Sequence, residues 1–195
     1  MKKHFLKAAG FCLVLAMVAC GGSETTKTDD RDTAMQTMPV DTAMYEAASA
    51  DLSGTKADTT VSGTCKFTRK ENKVELVLTI NVPKKANATV AVHFHEHGDC
   101  GDAGKEAHGH WNPTNEDHGK WASPKYHSGD IGNIELDKEG KATFTVETDR
   151  WTIGGPEKTN ILGRAIIVHS GVDDYTTQPT GNSGSRIGCG VINKM

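Results

Sequence analysis

The sequence predicts an all-β domain, built as a sandwich or a barrel, and three observations lead to this fold class. Apolar and polar residues alternate over residues 73–82 (KVELVLTINV), as they do in a half-buried strand. Seven further short stretches also have strand character, and turns rich in Gly or Asn separate them. The domain contains no apolar repeat of helical period long enough for a substantial helix. About eight short strands joined by such turns are typical of β-sandwiches and β-barrels.

Two long connections join the predicted strands. In chain order, the strands are residues 48–54, 61–68, 73–82, 89–96, 131–136, 141–148, 163–170 and 185–192. The long connections are residues 98–129 and 170–185. Loops longer than about fifteen residues in a compact domain are usually functional or disordered. Because these two hold most of the histidines outside the strands, we expect them to be functional.

Residues 1–19 have the features of an export signal. Three lysines within the first seven residues precede the apolar run AAGFCLVLAMVAC, which is too short to span a bilayer comfortably. The following MVACGGS resembles a bacterial lipobox, in which Cys20 is lipidated and becomes the mature N-terminus. The alternative is an ordinary secretory signal that is cleaved nearby.

The remaining chain divides into a tether and one domain. Residues 20–45 are polar and lack apolar periodicity, which predicts a flexible tether. Residues 46–195 are enough for a single domain with a well-buried core. The whole chain has a formal charge of -3, and removing the three signal lysines from its 22 basic residues leaves 19 against 25 acidic ones, or -6. Since no basic run is visible, we expect no nucleic-acid partner.

Three cysteines lie in the domain: Cys65, Cys100 and Cys189. In an oxidising envelope compartment, two of them should form a disulfide. The spacing of the cysteines leaves all three pairings open.

Histidines dominate the candidate site residues. Successive side chains of a strand point to opposite faces, so His93 and His95 should lie side by side on one face of the strand that contains them. One histidine in a domain is usually structural or solvated, but a cluster on two strand ends and one loop predicts metal binding. The candidate ligands are His93, His95, His97, His108, His110, His118, His127, Asp130 and His169.

Five motifs together resemble those of copper/zinc superoxide dismutases of the bacterial lipoprotein type. They are VHFHEHGDC, HGHWNPTNEDHG, YHSGDIGN, RAIIVHSGVDD and TGNSGSRIGCGVI, which occur in this order within residues 46–193. The resemblance implies an eight-stranded Greek-key β-barrel, of immunoglobulin-like sandwich architecture, with two long functional loops.

The resemblance also implies residue roles. The positions that match copper ligands are His93, His95, His110 and His169, and those that match zinc ligands are His110, His118, His127 and Asp130. His110 would bridge the metals and take part in catalysis with Arg186, which matches the guanidinium beside the copper. Asp173 matches a carboxylate that links a copper histidine to a zinc histidine. Cys100 and Cys189 match the disulfide of the family, which leaves Cys65 as a buried free thiol.

The implied function is that of an antioxidant oxidoreductase. It would disproportionate superoxide to dioxygen and hydrogen peroxide by alternate reduction and oxidation of copper, with one copper and one zinc ion per subunit. The alternative is a non-catalytic protein that binds or buffers copper and zinc in the envelope. A carrier needs neither a shared imidazolate nor an arginine at an open copper face, so the enzyme is favoured.

The expected partners and location follow from the same observations. The substrate would be the superoxide anion, and the lipid on Cys20 would anchor the chain to a membrane of the bacterial cell envelope, facing the periplasm or the surface. A homodimer is compatible with the sequence. His97 and His108 match no ligand of the family; solvated loop histidines are the favoured interpretation, and accessory copper capture is the alternative.

Overall fold

The computed structural model describes residues 43–195, and nearly all of its regular structure is β. The strands are β1 (Ala47–Gly54), β2 (Ser62–Lys70), β3 (Lys73–Asn81), β4 (Thr89–His95), β5 (Gly132–Glu135), β6 (Lys141–Thr148), β7 (Ala165–His169), β8 (Arg186–Val191) and β9 (Asn193–Lys194). Three short helical segments accompany them, at Pro83–Lys85, Gly101–Gly104 and Lys105–Ala107. Within residues 43–195, no helix is long and apolar enough to cross a membrane.

The strands form an antiparallel, nearly closed barrel. Their spatial order is β5-β4-β7-β8-β1-β2-β3-β6, and the two strands at its ends are consecutive in the chain. The pairs β3–β6, β4–β7 and β1–β8 join strands distant in sequence, as Greek-key connections require. The predicted all-β fold and its eight strands are therefore confirmed. Of the two architectures that the strand pattern left open, a sandwich or a barrel, the structure is a barrel. The two-residue β9, which pairs with β1, was not predicted.

The barrel interior is filled by the inward side chains of these strands. Leu76, Leu78 and Ile80 of β3 are buried, as the alternation in that segment predicts. Phe94 of β4 packs against Trp151 with ring centroids 4.8 Å apart. Truncating such a buried aromatic residue to Ala typically costs about 3–5 kcal/mol, so the Phe94 side chain contributes substantially to barrel stability.

Strand β4 is buried on both faces. Phe94 belongs to the barrel core, whereas His93 and His95 on the other face are also fully buried. The long connections that follow β4 and β7 in the chain, residues 96–131 and 170–185, supply the contacts on that outer face. The outer face of β4 is therefore an interior of its own, lined by polar side chains.

A disulfide anchors the longer connection to the barrel. Cys100 is bonded to Cys189 of β8, with their Cα atoms 5.8 Å apart, which resolves the three pairings that the sequence left open. A small apolar cluster around it contains Ala107 and Ile167. Cys65 is a buried free thiol, as predicted, and burial raises its pKa.

The predictions for the N-terminus stay untested. The signal peptide at residues 1–19, the lipidated Cys20 and residues 20–42 of the tether lie outside the described residues. The domain boundary at residue 46 likewise stays a prediction, although β1 begins at Ala47.

Candidate metal centre

Two neighbouring strands deliver three buried histidines to the outer face of the barrel. His93 and His95 lie on β4, and His169 ends the adjacent strand β7. The ladder between β7 and β8 changes register between Val168 and His169. Such an irregularity redirects a side chain, and here it accompanies the approach of the Nε2 atom of His169 to 3.4 Å from that of His95.

A fourth histidine reaches the same point from the long loop. His110 faces His95 across an antiparallel bridge, and the neighbouring Trp111 donates its backbone N–H to the carbonyl of Phe94 at 2.8 Å. The rings of His93 and His110 lie 4.0 Å apart. We call the resulting set the strand group, whose ligand atoms all lie within 4.8 Å of one another: His93, His95, His110 and His169.

A second set is built from the loop alone. We call it the loop group, and its members are His110, His118, His127 and Asp130. The carboxylate oxygens of Asp130 lie 2.9 Å from His110 Nδ1, 3.0 Å from His118 Nδ1 and 3.3 Å from His127 Nδ1. Bonds of about 2.0 Å to a tetrahedral zinc ion place neighbouring ligand atoms roughly 3.3 Å apart. The spacing of the loop group therefore suits an ion of that size.

Several buried imidazole nitrogens have no hydrogen-bond partner within residues 43–195. They are His93 Nδ1, His110 Nε2, His118 Nδ1 and His127 Nδ1. A buried polar atom without a partner costs free energy, and such atoms are uncommon in native proteins. The four unpartnered nitrogens lie on the facing sides of the two histidine groups, and their lack of a partner is explained if they bind metal ions. The donor sets fit, since four imidazoles suit copper and three imidazoles with a carboxylate suit zinc.

His110 belongs to both groups. Its Nδ1 faces Asp130 in the loop group, while its Nε2 faces the strand group without a hydrogen-bond partner. Its side chain is almost fully buried. One imidazole ring is thus placed to contact two ions, one through each nitrogen.

Asp173 links the two groups by contacting one histidine of each. Its two carboxylate oxygens accept hydrogen bonds from His93 Nε2 at 2.8 Å and from His118 Nε2 at 2.9 Å. With Nε2 protonated in both rings, Nδ1 of each ring is left as a lone-pair donor to a metal. The predicted connection through Asp173 therefore has the expected geometry.

Burial and charge set the protonation of the histidines. Burial lowers the pKa of His95 and His169, and it lowers the pKa of His110 to about 3 even though Asp130 opposes this. Burial also acts to lower the pKa of His118, but the carboxylates of Asp130 and Asp173, one beside each ring nitrogen, outweigh it and raise that pKa to about 9. The strand group is therefore neutral, the form that binds metals, whereas His118 must release a proton to bind one.

Arg186 lies at the edge of the strand group. It begins β8 opposite His169, and its guanidinium donates to the backbone carbonyls of Gly104 and His108. The carbonyl of His108 also accepts from His95 Nδ1 at 2.8 Å. Burial lowers the pKa of Arg186, but a guanidinium stays protonated in proteins. A fixed positive charge thus lies beside the histidines of the strand group.

The sequence did not reveal the residues that hold Asp173 and His118 in place. The side-chain amide of Asn133 accepts from the backbone N–H of Asp173 at 2.8 Å and donates to its carbonyl at 2.9 Å. Gln178 makes the same pair of bonds to the backbone of His118, at 2.8 and 3.0 Å. Only the motif position of Asn133, three residues after Asp130, gave a signal. Gln178 had none, because its role depends on how two distant loops pack.

Comparisons with known proteins agree with this geometry. The family model described as "Copper/zinc superoxide dismutase (SODC)" matches residues 61–192. A protein of Botryotinia fuckeliana named "Superoxide dismutase [Cu-Zn]" is 35% identical over 144 residues, which are 70% of this chain and 92% of that protein. A protein of the same name from Paramecium bursaria Chlorella virus 1 is 40% identical over 138 residues, covering 68% of this chain and 72% of the relative.

A bacterial relative and a solved structure extend the comparison. "Superoxide dismutase [Cu-Zn] 2" of Aquifex aeolicus is 41% identical over 110 residues, which are 54% of this chain and 64% of that protein. The crystal structure of the clock protein EA4 superimposes with a TM-score of 0.68 at 30% identity, covering 78% of this chain and 97% of that one.

Proposed function

This chain belongs to the copper/zinc superoxide dismutase family, and from that premise we propose that it disproportionates superoxide to dioxygen and hydrogen peroxide. The cofactors are copper and zinc. Bound copper supplies the one-electron chemistry of the reaction. The remaining steps of the proposal concern what the side chains of this chain do.

We assign copper to the strand group and zinc to the loop group. The observation that carries this assignment is His110, because it alone belongs to both groups and presents one nitrogen to each. The carboxylate of Asp130 completes a set of three imidazoles and one oxygen, which is typical of closed structural zinc sites. His110 would be a ligand in both sets and so would couple the binding of the two metals.

Two side chains act on the substrate in this proposal. The guanidinium of Arg186 attracts and orients the superoxide anion, because it is charged at every working pH and presents several donors in one plane. His110 Nε2 would take up one proton from solvent and deliver it to the peroxide, and water would supply the second proton of hydrogen peroxide. Burial lowers the pKa of His110 to about 3 in the metal-free protein, so its imidazole is neutral there and can accept a proton.

The location of the protein is part of the proposal. We assign residues 1–19 to a signal peptide and Cys20 to lipidation, which would anchor the domain in the bacterial cell envelope. The MVACGGS motif and the disulfide Cys100–Cys189, a bond typical of oxidising compartments, support this assignment. Mass spectrometry of the N-terminal peptide from membranes tests it, since an unmodified Cys20 would contradict it. A homodimer also stays a prediction, to be tested by analytical ultracentrifugation.

One experiment separates the enzyme from a metal-buffering protein. Elemental analysis and a superoxide-consumption assay are made on the same sample after reconstitution with copper and zinc. We expect one copper and one zinc per chain together with rapid consumption of superoxide. A protein that holds both metals without turnover would be a carrier, and one metal per chain would contradict the bridged site.

A further inference from the structure

We propose that Glu96, His97 and His108 form a third metal site, on the surface beside the strand group, that takes an exchangeable divalent transition-metal ion. Their ligand atoms lie within 4.8 Å of one another, and all three residues are exposed. The ring centroids of His97 and His108 are 4.3 Å apart. None of the three belongs to the copper and zinc sets assigned above, so this site goes beyond the proposed function.

The backbone that carries these side chains is held firmly. The N–H of Glu96 donates to the carbonyl of Gly109 at 3.0 Å, and the N–H of His97 donates to that of Ala107 at 3.2 Å. Arg164 donates to the carbonyl of Glu96 at 2.7 Å. Two antiparallel segments are thus fixed against each other, and their exposed side chains need only rotate to meet one ion. Fixing the backbone in advance reduces the entropy that binding must overcome.

The same ladder presents ligands on two sides. His95 and His110 point inward from it and are buried, whereas Glu96 and His108 are exposed on the solvent side. The side chain of Glu96 makes no hydrogen bond or salt bridge within residues 43–195, and its carboxylate lies over Gly109, where an added Cβ would be 3.8 Å from an Oε atom. The carboxylate is therefore available to an ion between the two rings.

The backbone of His108 is unusual for a residue with a side chain. Its φ is 61° and its ψ is -140°, a region that glycine adopts much more readily. The neighbouring residue is a glycine, Gly109, but the strained conformation occurs at the histidine. The conformation turns the carbonyl of His108 toward His95 and Arg186, while its ring lies near His97.

The ligand chemistry indicates the kind of ion. Two imidazoles and a carboxylate suit zinc, copper and nickel, and copper(II) binds most tightly to nitrogen and oxygen donors among the divalent first-row ions. Three exposed ligands leave coordination positions to water, so the ion should exchange readily. Glu96 and His97 also line an open surface groove of about 370 Å³, which gives an ion access from solvent.

Equilibrium dialysis against copper(II) tests this site in the full chain that already carries its resident metals. We expect one further copper per chain by elemental analysis, with a second copper signal in the electron spin resonance spectrum. His97→Gln and His108→Gly should each weaken binding of this second copper at least about tenfold, since even residues that only orient a ligand contribute that much. Glycine suits the backbone at position 108, so that variant should keep the fold.

Glu96→Gln should also weaken the second copper, and Glu106→Gln is its matched control. Glu106 is an exposed carboxylate of the same loop that lies outside the three ligands, so its substitution should leave the second copper in place. The resident copper and zinc are counted first in every variant, which separates a misfolded protein from a lost surface site. If His108→Gly loses them, His97→Gln alone decides. The proposal is wrong if the wild type binds no second copper, or if His97→Gln binds it as tightly as the wild type.

Discussion

The strand group and the loop group differ in what holds their ligands in place. His93 and His95 are fixed by the backbone ladder between β4 and β7, and His169 by the ladder between β7 and β8, so the barrel itself positions all three. His118 and His127 lie on a connection without strands. Side chains position them: Asp173 and Gln178 hold His118, and Asp130 accepts from the backbone N–H of His127 at 2.8 Å. The strand group is thus largely a product of the fold, whereas the loop group depends on loop packing.

The loop has its own anchors in the barrel. Trp151 of the core donates its indole N–H to the carbonyl of Ser128 at 2.8 Å, next to His127. Arg150 donates to the carboxylate of Glu116 through Nη1 and Nη2, at 2.7 and 3.3 Å. The disulfide fixes the start of the loop to β8. Changes at these anchors should therefore affect the loop group before the strand group.

The largest effect is expected at the residue that the groups share. His110→Ala should lower superoxide turnover by about two to four orders of magnitude, because it removes a proton-transferring group as well as a ligand of both metals. Stopped-flow superoxide consumption and the copper spin-resonance spectrum measure this. His127→Ala is the comparison, since it removes a ligand of the loop group alone and should weaken zinc more than copper. An unchanged copper spectrum in His110→Ala would exclude it as a copper ligand.

Cys189→Ser should destabilise the protein by about 2–5 kcal/mol, the usual cost of losing a native disulfide. Because the bond closes a separation of 89 residues that contains most of the loop, zinc should be lost at lower denaturant concentration than copper. Denaturant unfolding with metal analysis along the transition measures both effects. Simultaneous loss of the two metals would show that the groups are not held independently.

Arg186→Ala should affect the reaction at the strand group and leave the loop group unchanged. It should keep both metals and slow turnover by roughly one to two orders of magnitude, the equivalent of losing a charge-assisted hydrogen bond of about 1.5–3 kcal/mol. Arg186→Lys should recover part of the rate, since it keeps the charge without the planar donor set. Salt should slow the wild type more than the Ala variant. A metal-replete Ala variant as fast as the wild type would remove Arg186 from the mechanism.

Gly181→Ala should disturb the connection between the groups. A Cβ at this position would lie 1.9 Å from Asp173 Oδ1 and 2.5 Å from His118 Nε2. Gly163→Ala is a matched control, because its φ of 74° is close to the 67° of Gly181 but an added Cβ there meets nothing within 4 Å. Both variants carry backbone strain of about 1–2 kcal/mol, and only Gly181→Ala should also weaken zinc. Competition with a chelator measures zinc affinity, and equal affinities would show that the glycine is needed only for its φ.

These differences explain how far the sequence could predict the molecule. Strand alternation is local, so all eight strands and the side-by-side arrangement of His93 and His95 could be read from it. The pairing of Cys100 with Cys189 and the role of Asp173 came only through the resemblance, because they join segments far apart in the chain. The roles of Gly181 and Gln178 were not predicted, since each depends on how the two connections pack. The approach of His97 to His108 across eleven positions was missed for the same reason.

The smallest effect concerns the metal-free protein, in which the two groups should respond to pH in opposite directions. The pKa of His118 is raised from 6.5 to about 9, so its contribution to stability is complete below pH 6.5 and is lost as the pH rises through 9. The pKa values of His93, His95 and His169 are lowered by burial. Their contribution to stability is present above pH 6.5 and is lost as the pH falls, because these histidines then bind protons in the unfolded chain but stay neutral in the folded protein.

The free energy of unfolding of the chelated protein should therefore be greatest near pH 6.5. Each histidine contributes a slope of up to about 1.4 kcal/mol per pH unit within its window. Denaturant titrations between pH 4 and pH 10 measure the two limbs, and NMR of the histidine ring protons gives the pKa of His118 directly. His118→Gln should remove the alkaline limb and keep the acid limb, since only the loop group surrounds a histidine with two carboxylates. An alkaline limb that persists in this variant would show that Asp130 and Asp173 do not hold His118 protonated, and the loop group would then be as neutral as the strand group.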